Sequence, residues 1–257
     1  MRYVFAVPLL VLSLLVSAAP HAETVPASIP ESEKVAIQEI IHSYLTKDHP
    51  EVLMEGMREL QRRDQASAEA KTADAIKASK DRIYNDPATP VGGNPKGDVV
   101  IVEFFDYQCG YCKLSAPFIE RILKEDKGVR FVYKEFPVLG EVSTLASKTA
   151  LAAFRQGLDK YVKFHDALMN KKEHLNEEMI YQIAKDAGLN VEKLKKDAAD
   201  DETKKQIQAN IDLGTEVGVR GTPMFIIGDK IFPGAIQQYE DMKNAVNEAR
   251  AAGHKKN

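Results

Sequence analysis

Val99–Phe105 (VVIVEFF) runs directly into Asp106–Cys112 (DYQCGYC), and these two segments determine the architecture of the chain. An apolar run rich in Val, Ile and Phe is typical of a central strand that is buried on both faces. After Cys112, apolar residues recur at helical spacing, which predicts an amphipathic helix. Cys109 and Cys112 are therefore expected at a strand-to-helix turn, with Cys109 at the helix N-terminus.

This position predicts that Cys109 is a reactive thiol. Unpaired backbone N–H groups and the helix dipole favour negative charge at a helix N-terminus, so they should lower the pKa of the thiol. The thiolate is the nucleophile of thiol–disulfide exchange. Cys112 could close a short disulfide with Cys109 or resolve a mixed disulfide. We expect Cys109 to be the exposed nucleophile and Cys112 the shielded thiol.

The two cysteines could also have a structural or a metal-binding role. A structural disulfide usually closes a longer loop, because a four-residue ring constrains the unfolded chain little. Zinc needs two further His or Cys ligands, and His165 and His174 lie more than fifty residues away in sequence. Copper(I) accepts two thiolates, so a copper site stays open as an alternative. The order strand, motif, helix favours redox exchange.

Two further features support a redox site. Glu103 lies inside the apolar strand, where a carboxyl group is costly unless it has a partner or a task. It is expected to be either a structural carboxylate or a proton acceptor for the Cys112 thiol. Later in the chain, Gly221-Thr222-Pro223 immediately precedes the predicted strand Met224–Ile227. Proline fits only the first position of such a strand.

The composition excludes several classes of protein. The 257 residues include 35 Lys and Arg and 38 Asp and Glu, and a net charge of −3 does not suit a nucleic-acid binder that depends on a positive field. With 44% hydrophobic and 28% charged residues, the composition is typical of a soluble globular protein. Two cysteines cannot build a disulfide-rich scaffold or a four-thiolate zinc site. We expect no organic cofactor, no metal and no nucleic-acid partner.

The N-terminus has the pattern of an export signal. A positive charge precedes the apolar run Val4–Val16, and small residues follow at Ser17–Ala19. The run is slightly short for a retained membrane span, so residues 1–22 are predicted to be a signal peptide cleaved near Ala19 or Ala22. The mature protein would then work outside the cytosol, in a bacterial periplasm, a compartment that permits disulfides.

Residues 23–84 are predicted to form a helical region. Apolar residues recur at helical spacing on either side of Pro50. They are Ile37, Ile40, Ile41, Tyr44 and Leu45, then Leu53, Met54, Met57 and Leu60. The alanine-rich residues 61–80 predict an extended exposed helix. Because this region is too small to bury its apolar stripe alone, it either docks on the main domain or assembles with further copies. We expect an oligomerisation region with a stalk, forming a homodimer, with a trimer as the alternative.

Residues 85–257 carry the elements of a second domain. Residues 85–97 are rich in Pro, Gly, Asn and Asp, which predicts a linker or an opening loop. The elements predicted after it are strands Val99–Phe105 and Val129–Lys134, a mostly helical stretch at about 141–217, strands Met224–Ile227 and Lys230–Phe232, and a helix from Gln237 to Ala251. Gly228-Asp229 is typical of a tight hairpin turn. This order predicts an α/β domain with a helical insertion.

Three separated segments agree in order and spacing with one known family. They are Val102–Cys112 (VEFFDYQCGYC), Lys134–Val138 (KEFPV) and Gly218–Phe225 (GVRGTPMF). Together they resemble the DsbA family of exported thiol:disulfide oxidoreductases, over roughly residues 85–250. The resemblance implies a thioredoxin fold with a helical insertion, here preceded by the N-terminal helical oligomerisation region.

The resemblance implies a role for each matching residue. Cys109 would be the nucleophile, Cys112 the resolving thiol and Glu103 the buried acid of the family. Pro223 would be a cis-proline that faces the disulfide, and Thr222 would help to hold the substrate backbone. The chain has Gly-Tyr between the cysteines and Thr before the proline, where the best-known oxidase of the family has Pro-His and Val.

The N-terminal region is similar in plan to the dimeric isomerases DsbC and DsbG and to ScsC-like proteins. That plan implies catalytic sites arranged around a shared cleft. We therefore expect a periplasmic thiol:disulfide oxidoreductase that forms and isomerises disulfide bonds in exported proteins and depends on a membrane redox partner. The alternatives are a copper(I)-binding or holdase-type binding module and a dedicated periplasmic thiol reductant.

Overall fold

The computed structural model describes residues 29–254. These residues divide into two compact units, the first ending at Arg63 and the second beginning at Asp64. The predicted signal peptide, residues 1–22, lies outside the described residues. Among the residues that are described, no helix has both the length and the apolar character needed to cross a membrane.

The first unit is helical, as the sequence predicts. It consists of α1 (Glu31–Ser43), a π-helical turn (Tyr44–Asp48) and the beginning of α2 (Glu51–Ala78). The predicted break between two helical segments is confirmed, because His49 leaves helical geometry with φ −139° and ψ 60°. The apolar stripe faces solvent in the single chain.

The second unit contains one mixed sheet. Its elements in chain order are α3 (Lys80–Tyr84), β1 (Val91–Gly93), β2 (Val99–Phe105), α4 (Gly110–Glu125), β3 (Val129–Glu135), α5 (Glu141–Phe154), α6 (Leu158–Met169), α7 (Glu177–Asp186), α8 (Val191–Ala199), α9 (Asp201–Glu216), β4 (Met224–Ile227), β5 (Lys230–Pro233) and α10 (Tyr239–His254). The strand order is β1-β3-β2-β4-β5, with β2 parallel to β3 and antiparallel to β4. Helices α5 to α9 form the predicted insertion between β3 and β4, so the predicted fold class is confirmed.

Strand β2 occupies the middle of the sheet because its residues can pack on both faces. Val102 and Phe104 belong to a core formed with the end of α2, with α3 and with α9. Ile101 and Phe105 belong to the larger core, formed with α4, α10 and the insertion. Since successive side chains of a strand alternate between faces, Glu103 shares the face of Ile101 and Phe105. Its carboxyl group therefore lies on the side of the sheet that α4 covers.

The end of the chain follows the prediction closely. Strands β4 and β5 form an antiparallel hairpin in which Ile227 pairs with Lys230. Gly228 adopts φ 60° in the turn between them, a conformation that glycine reaches without steric cost. The final helix starts at Tyr239 and extends to His254, slightly later than predicted at both ends.

Residues 85–97 differ from the expectation of a plain loop or linker. They contain β1, which pairs antiparallel with β3, with Val91 opposite Val132. A glycine-rich strand lacks the side-chain pattern that would indicate it. Packing explains why residue 92 is a glycine, because a Cβ at this position would lie only 2.8 Å from the Tyr133 hydroxyl oxygen.

The predicted exposed helix 61–80 is wrong in its last turn. Ile76 is 7% exposed and Ser79 is 3% exposed, and Ile76 belongs to the same core as Ile83. The division between the two compact units falls within α2, between Arg63 and Asp64. A single isoleucine in a polar, alanine-rich segment carries too little periodic signal to show that the segment is buried.

Candidate active site

Cys109 occupies the N-cap position of α4. Its backbone is extended, with φ −75° and ψ 114°, and its sulfur accepts a hydrogen bond from the Cys112 N–H at 3.4 Å. The Cys109 thiol also donates to the Thr222 carbonyl oxygen at 3.2 Å. The peptide bond between Thr222 and Pro223 is cis. The strand-to-helix turn and the loop before β4 are thus in direct contact at this sulfur.

The exposure of the two thiols corrects one expectation. Cys109 is 6% exposed and Cys112 is 1% exposed, so Cys109 is the more accessible thiol but is itself largely buried. The segment with the cis-proline, whose Thr222 carbonyl contacts the sulfur, lies against it. The strand-to-helix turn alone predicts an exposed Cys109, but the distant cis-proline segment covers it.

The two thiols have opposite acidities. The pKa of Cys109 falls to about 6, chiefly because the Cys112 thiol donates a hydrogen bond that stabilises the thiolate. The Thr222 side chain and the backbone N–H groups of Cys112 and Tyr111 stabilise the thiolate more weakly. Burial opposes this effect. For Cys112, burial raises the pKa, and the Cys109 thiol and Glu103 raise it further. At neutral pH, Cys109 is therefore the thiolate and Cys112 keeps its proton.

Glu103 is a buried acid on the wall of this site. It is 1% exposed, and its Oε1 atom has no hydrogen-bond partner among the residues that the structure describes. Burial raises its pKa well above the usual range, and the nearby Cys109 and Glu135 raise it further. Burial therefore favours the protonated form of Glu103, which can donate a proton as well as relay one.

Asp106 holds the loop before Cys109 in place. Its carboxylate accepts hydrogen bonds from four donors that lie on both sides of the motif. They are the N–H groups of Gln108 (2.8 Å), Val138 (2.8 Å) and Leu139 (3.0 Å) and the Ser143 hydroxyl (2.7 Å). Asp106 is fully buried, and these contacts join the turn after β2 to the start of the helical insertion.

A second buried acid lies beneath the same loop. Glu135 Oε1, at the end of β3, accepts hydrogen bonds from the hydroxyls of Tyr107 at 2.8 Å and Tyr161 at 3.0 Å. The Tyr107 hydroxyl also lies 3.0 Å from Nδ1 of His165. Burial raises the pKa of Glu135 to about 8, although the nearby Ser147 hydroxyl and the hydrogen bonds from the two tyrosines lower it. This cluster attaches the pre-cysteine loop to helix α6.

The loop between α6 and α7 is attached beside the cysteines. The Gln108 side chain donates to the Leu175 carbonyl at 3.1 Å and accepts from the Leu175 N–H at 3.0 Å. Lys113 Nζ, one residue after Cys112, donates to the Lys171 carbonyl at 2.8 Å. The insertion is therefore part of the structure around the motif.

Comparison with known proteins identifies the fold and the motif together. Residues 100–247, more than half of the chain, match the model of the DSBA-like thioredoxin domain. The chain belongs to this family. Residues 33–67 match a second model, the copper resistance protein ScsC N-terminal domain.

Individual relatives of this DSBA-like protein agree with the assignment. A thioredoxin-like oxidoreductase from Silicibacter pomeroyi is 41% identical, with a TM-score of 0.63, over 66% of this chain and 97% of that one. ScsC from Proteus mirabilis in a transitional conformation is 29% identical, with a TM-score of 0.64, over 87% and 100%. Disulfide bond formation protein D of Bacillus subtilis is 27% identical over 61% of this chain and 75% of its own length.

The match to longer proteins is partial. The chain spans 22% of the length of the Na(+)/H(+) antiporter NhaA 3 of Salinispora tropica, at 25% identity. The shared part covers 54% of this DSBA-like chain. What the family assignment supports is thiol:disulfide oxidoreductase activity.

The structure of this DSBA-like domain brings all the predicted site residues into one region and adds others. Cys109, Cys112, Thr222 and Pro223 meet at the N-terminus of α4, and Glu103 lies beside Cys112. Sequence reasoning did not assign a function to Asp106, Tyr107, Glu135, Tyr161, His165 and Asp166. Asp106, Tyr107 and Glu135 lie inside the motif segments, where a polar residue beside a buried strand could have indicated a functional role. Nothing local distinguished the three residues in the insertion.

The site is poor in potential metal ligands. Within residues 29–254, no group of three or more His, Cys, Asp or Glu side chains is placed to hold a metal ion. In this DSBA-like domain Cys109 and Cys112 are the close thiol pair, and the neighbouring Glu103 is one carboxyl group. The geometry suits sulfur exchange, which needs one ionised thiol, one protonated thiol and a nearby proton carrier.

Proposed function

We propose that this protein forms and isomerises disulfide bonds in exported proteins through the Cys109–Cys112 pair. The observation that carries the proposal is the contrast between the two thiols. Cys109 has a pKa of about 6 at a helix N-terminus, whereas Cys112 is buried and protonated. A thiolate beside a protonated thiol can attack a disulfide and then be released, as exchange in either direction requires.

Oxidation of a substrate begins with the Cys109–Cys112 disulfide. A substrate thiolate attacks the Cys109 sulfur, the bond between the cysteines breaks, and Cys112 leaves as a thiolate that takes a proton from Glu103. A second substrate thiolate then attacks the substrate sulfur of the mixed disulfide, and Cys109 leaves as a thiolate. The substrate loses two electrons and the cysteine pair gains two. A low pKa makes Cys109 a good leaving group.

Isomerisation begins with the reduced pair. The Cys109 thiolate attacks a wrong substrate disulfide and forms a mixed disulfide, and one substrate thiolate is released. A different substrate thiolate then attacks the substrate sulfur and displaces Cys109, which completes the isomerisation. Alternatively, Cys112 attacks the Cys109 sulfur, closes the Cys109–Cys112 disulfide and releases the substrate as a thiolate, so that the substrate disulfide is reduced. Thr222 and Pro223, which lie against the Cys109 sulfur, hold the substrate backbone beside the reacting bond.

The N-terminal region supports the oligomeric part of the proposal. Apolar side chains there are largely exposed, with Ile40 at 67% and Leu60 at 61%. An apolar stripe of this length on two helices is typical of a surface that another copy covers. Two or three catalytic domains assembled in this way can act together on one misfolded chain in the periplasm. A membrane redox partner sets the steady-state form of the cysteines.

Single-cysteine variants test the proposal. We expect Cys109→Ser to abolish insulin reduction and the refolding of scrambled ribonuclease, because no nucleophile remains. We expect Cys112→Ser to accumulate mixed disulfides that can be captured and identified by mass. Full activity of Cys109→Ser would show that the cysteine pair is not the catalytic centre.

A further inference from the structure

A cavity of about 250 Å³ lies beside the buried thiol of the active site. Cys112 and Glu103, each 1% exposed, line its inner end. Asp166 of α6 lines it together with Glu120 and Lys124 of α4, whose side chains are 31% and 77% exposed. The cavity therefore extends from the deepest part of the site toward the surface between α4 and the insertion.

The inner end of the cavity contains an orphaned polar atom. Glu103 Oε1 is buried and unpartnered among the described residues, and Glu103 lines the cavity. A buried polar atom without a partner in the protein indicates an internal water site where space allows. One water occupies about 30 Å³ of liquid, so this cavity has room for several.

We propose that this cavity is a hydrated passage that carries protons between Glu103 and solvent, and that Asp166 is the acid at its outer end. The proposal rests on the proposed function, because a proton has to move only if Cys112 takes part in exchange. It assigns a part in the reaction to a residue of the helical insertion, more than fifty residues after the cysteines in sequence.

The proposed step is balanced when Cys112 resolves a mixed disulfide. The Cys112 sulfur attacks Cys109, a bond forms between the two cysteines, and the bond from Cys109 to the substrate sulfur breaks. The substrate leaves as a thiolate. The Cys112 proton enters the neutral Glu103 carboxyl group, whose own proton passes through cavity water to the Asp166 carboxylate and then to solvent. The same chain runs in reverse when Cys112 is the leaving group.

The surroundings of Asp166 suit an acid that exchanges protons near neutral pH. The titratable groups that line the cavity with it are Glu120 and Lys124 on α4, Glu103 and Cys112 at the inner end, Tyr133 on β3 and His165 on α6. Burial raises the pKa of Asp166 to about 6, Glu120 raises it further, and Lys124 opposes them. Burial lowers the pKa of His165 to about 3, so this ring stays neutral and does not compete for the proton.

The point at which a substrate attaches lies outside the lining of the cavity. Cys112 lines the cavity, whereas Cys109 does not. A substrate joined to Cys109 is therefore attached at an atom that does not line the cavity. The Cys112 proton needs such a route because Cys112 is almost completely buried.

Reaction of the reduced full-length protein with Ellman's reagent separates the two steps. Attack by Cys109 releases the first thionitrobenzoate, and attack by Cys112 on the mixed disulfide releases the second. For Asp166→Asn we expect the second phase to slow about tenfold, as loss of a proton acceptor does, while the first phase is unchanged. The wild-type second phase should speed up as the pH rises through about 6, and this inflection should vanish in the variant.

Three further variants make the test specific. Asp166→Glu should restore most of the second phase, whereas Asp159→Asn, which changes an exposed acid of the same helix outside the cavity, should behave as wild type. Ala116→Leu, which fills part of the cavity, should slow the second phase even though Asp166 is present. A normal second phase in both Asp166→Asn and Ala116→Leu would overturn the passage alone. A first phase as slow as that of an ordinary thiol in the wild type would overturn the proposed function instead.

Discussion

The acidity of Cys109 depends on more than its place in the helix. Backbone dipoles at the start of α4 were sufficient reason to expect an acidified thiol, and the structure agrees in direction. The largest cause, however, is the Cys112 thiol, and the backbone N–H groups come after the Thr222 side chain. Side-chain orientation and the approach of a segment over a hundred residues away determine these contributions. Local sequence could therefore predict the sign of the shift but not its main source.

Removal of the Cys112 thiol tests this order of causes. In Cys112→Ala we expect the pKa of Cys109 to rise by about one unit or more, since a charge-stabilising hydrogen bond is lost. The rate of iodoacetamide alkylation as a function of pH measures it. Cys112→Ser, which keeps a hydroxyl donor, is the matched control and should shift the pKa less. An unchanged profile in Cys112→Ala would mean that the helix terminus alone acidifies Cys109.

Glu135 links the buried cluster to the pH dependence of stability. Its pKa is about 8 in the folded protein against 4.5 for a free glutamate, so the folded state holds the proton more tightly. The stabilisation is complete below pH 4.5 and is lost as the pH rises toward 8. We expect the contribution of Glu135 to stability to fall between pH 6.5 and 8, by at most roughly 1.4 kcal/mol per pH unit.

Comparison with Glu135→Gln isolates that contribution. His165 stays neutral in the folded protein but titrates near pH 6.5 in the unfolded chain, and this opposite slope cancels in the comparison because both proteins carry His165. Urea unfolding at several pH values in this window should show a smaller decline in the variant than in the wild type. Equal slopes for the two proteins would mean that Glu135 is ionised throughout.

At the scale of elements, strand β2, the turn after it and the insertion form one assembly. The strength of the apolar pattern made β2, α4, β3 and the hairpin predictable. Strand β3 shows where pattern reasoning ends, because Lys134 and Glu135 are consecutive and both buried. They face opposite sides of the sheet, where Lys134 Nζ donates to the Arg82 carbonyl at 2.7 Å and Glu135 accepts from tyrosines. Partners this distant cannot be read from local sequence.

Asp106 is the residue on which this assembly depends most. In Asp106→Ala, four donors lose a buried charged acceptor, so we expect a loss of about 3 kcal/mol or more in the free energy of unfolding. Urea denaturation of the oxidised protein measures it. Asp159→Ala, at an exposed position of α6, is the control and should change stability by less than about 0.5 kcal/mol. A similarly small change in Asp106→Ala would contradict the role assigned to this carboxylate.

At the scale of the whole molecule, the chain combines a catalytic unit with a helical unit that exposes its apolar residues. The sequence was sufficient to predict both, because the helical spacing of apolar residues and the order of the motifs are local signals. It could not show that Ile76 closes a core of the catalytic unit, or that Gln108 and Leu175 join the motif to the insertion. These contacts arise only when distant segments fold together.

Charge placed in the apolar stripe tests the oligomeric proposal. We expect Leu53→Asp combined with Met57→Asp to give a monomer in light scattering, since burying two carboxylates in an apolar interface is costly. Oxidation of small thiols should persist, and refolding of scrambled ribonuclease should fall sharply. Arg58→Asp, which lies outside the stripe, should leave the assembly intact. A wild-type protein that is monomeric in solution would contradict the proposal.

The most direct test of the account is the titration of the Cys109 thiol in the reduced wild-type protein. The ultraviolet absorbance of the thiolate, followed against pH with Cys109→Ser as the blank, gives its pKa. We expect a midpoint near 6, with Cys112 remaining protonated across the same range. A midpoint near 9, the value of an unperturbed thiol, would contradict it.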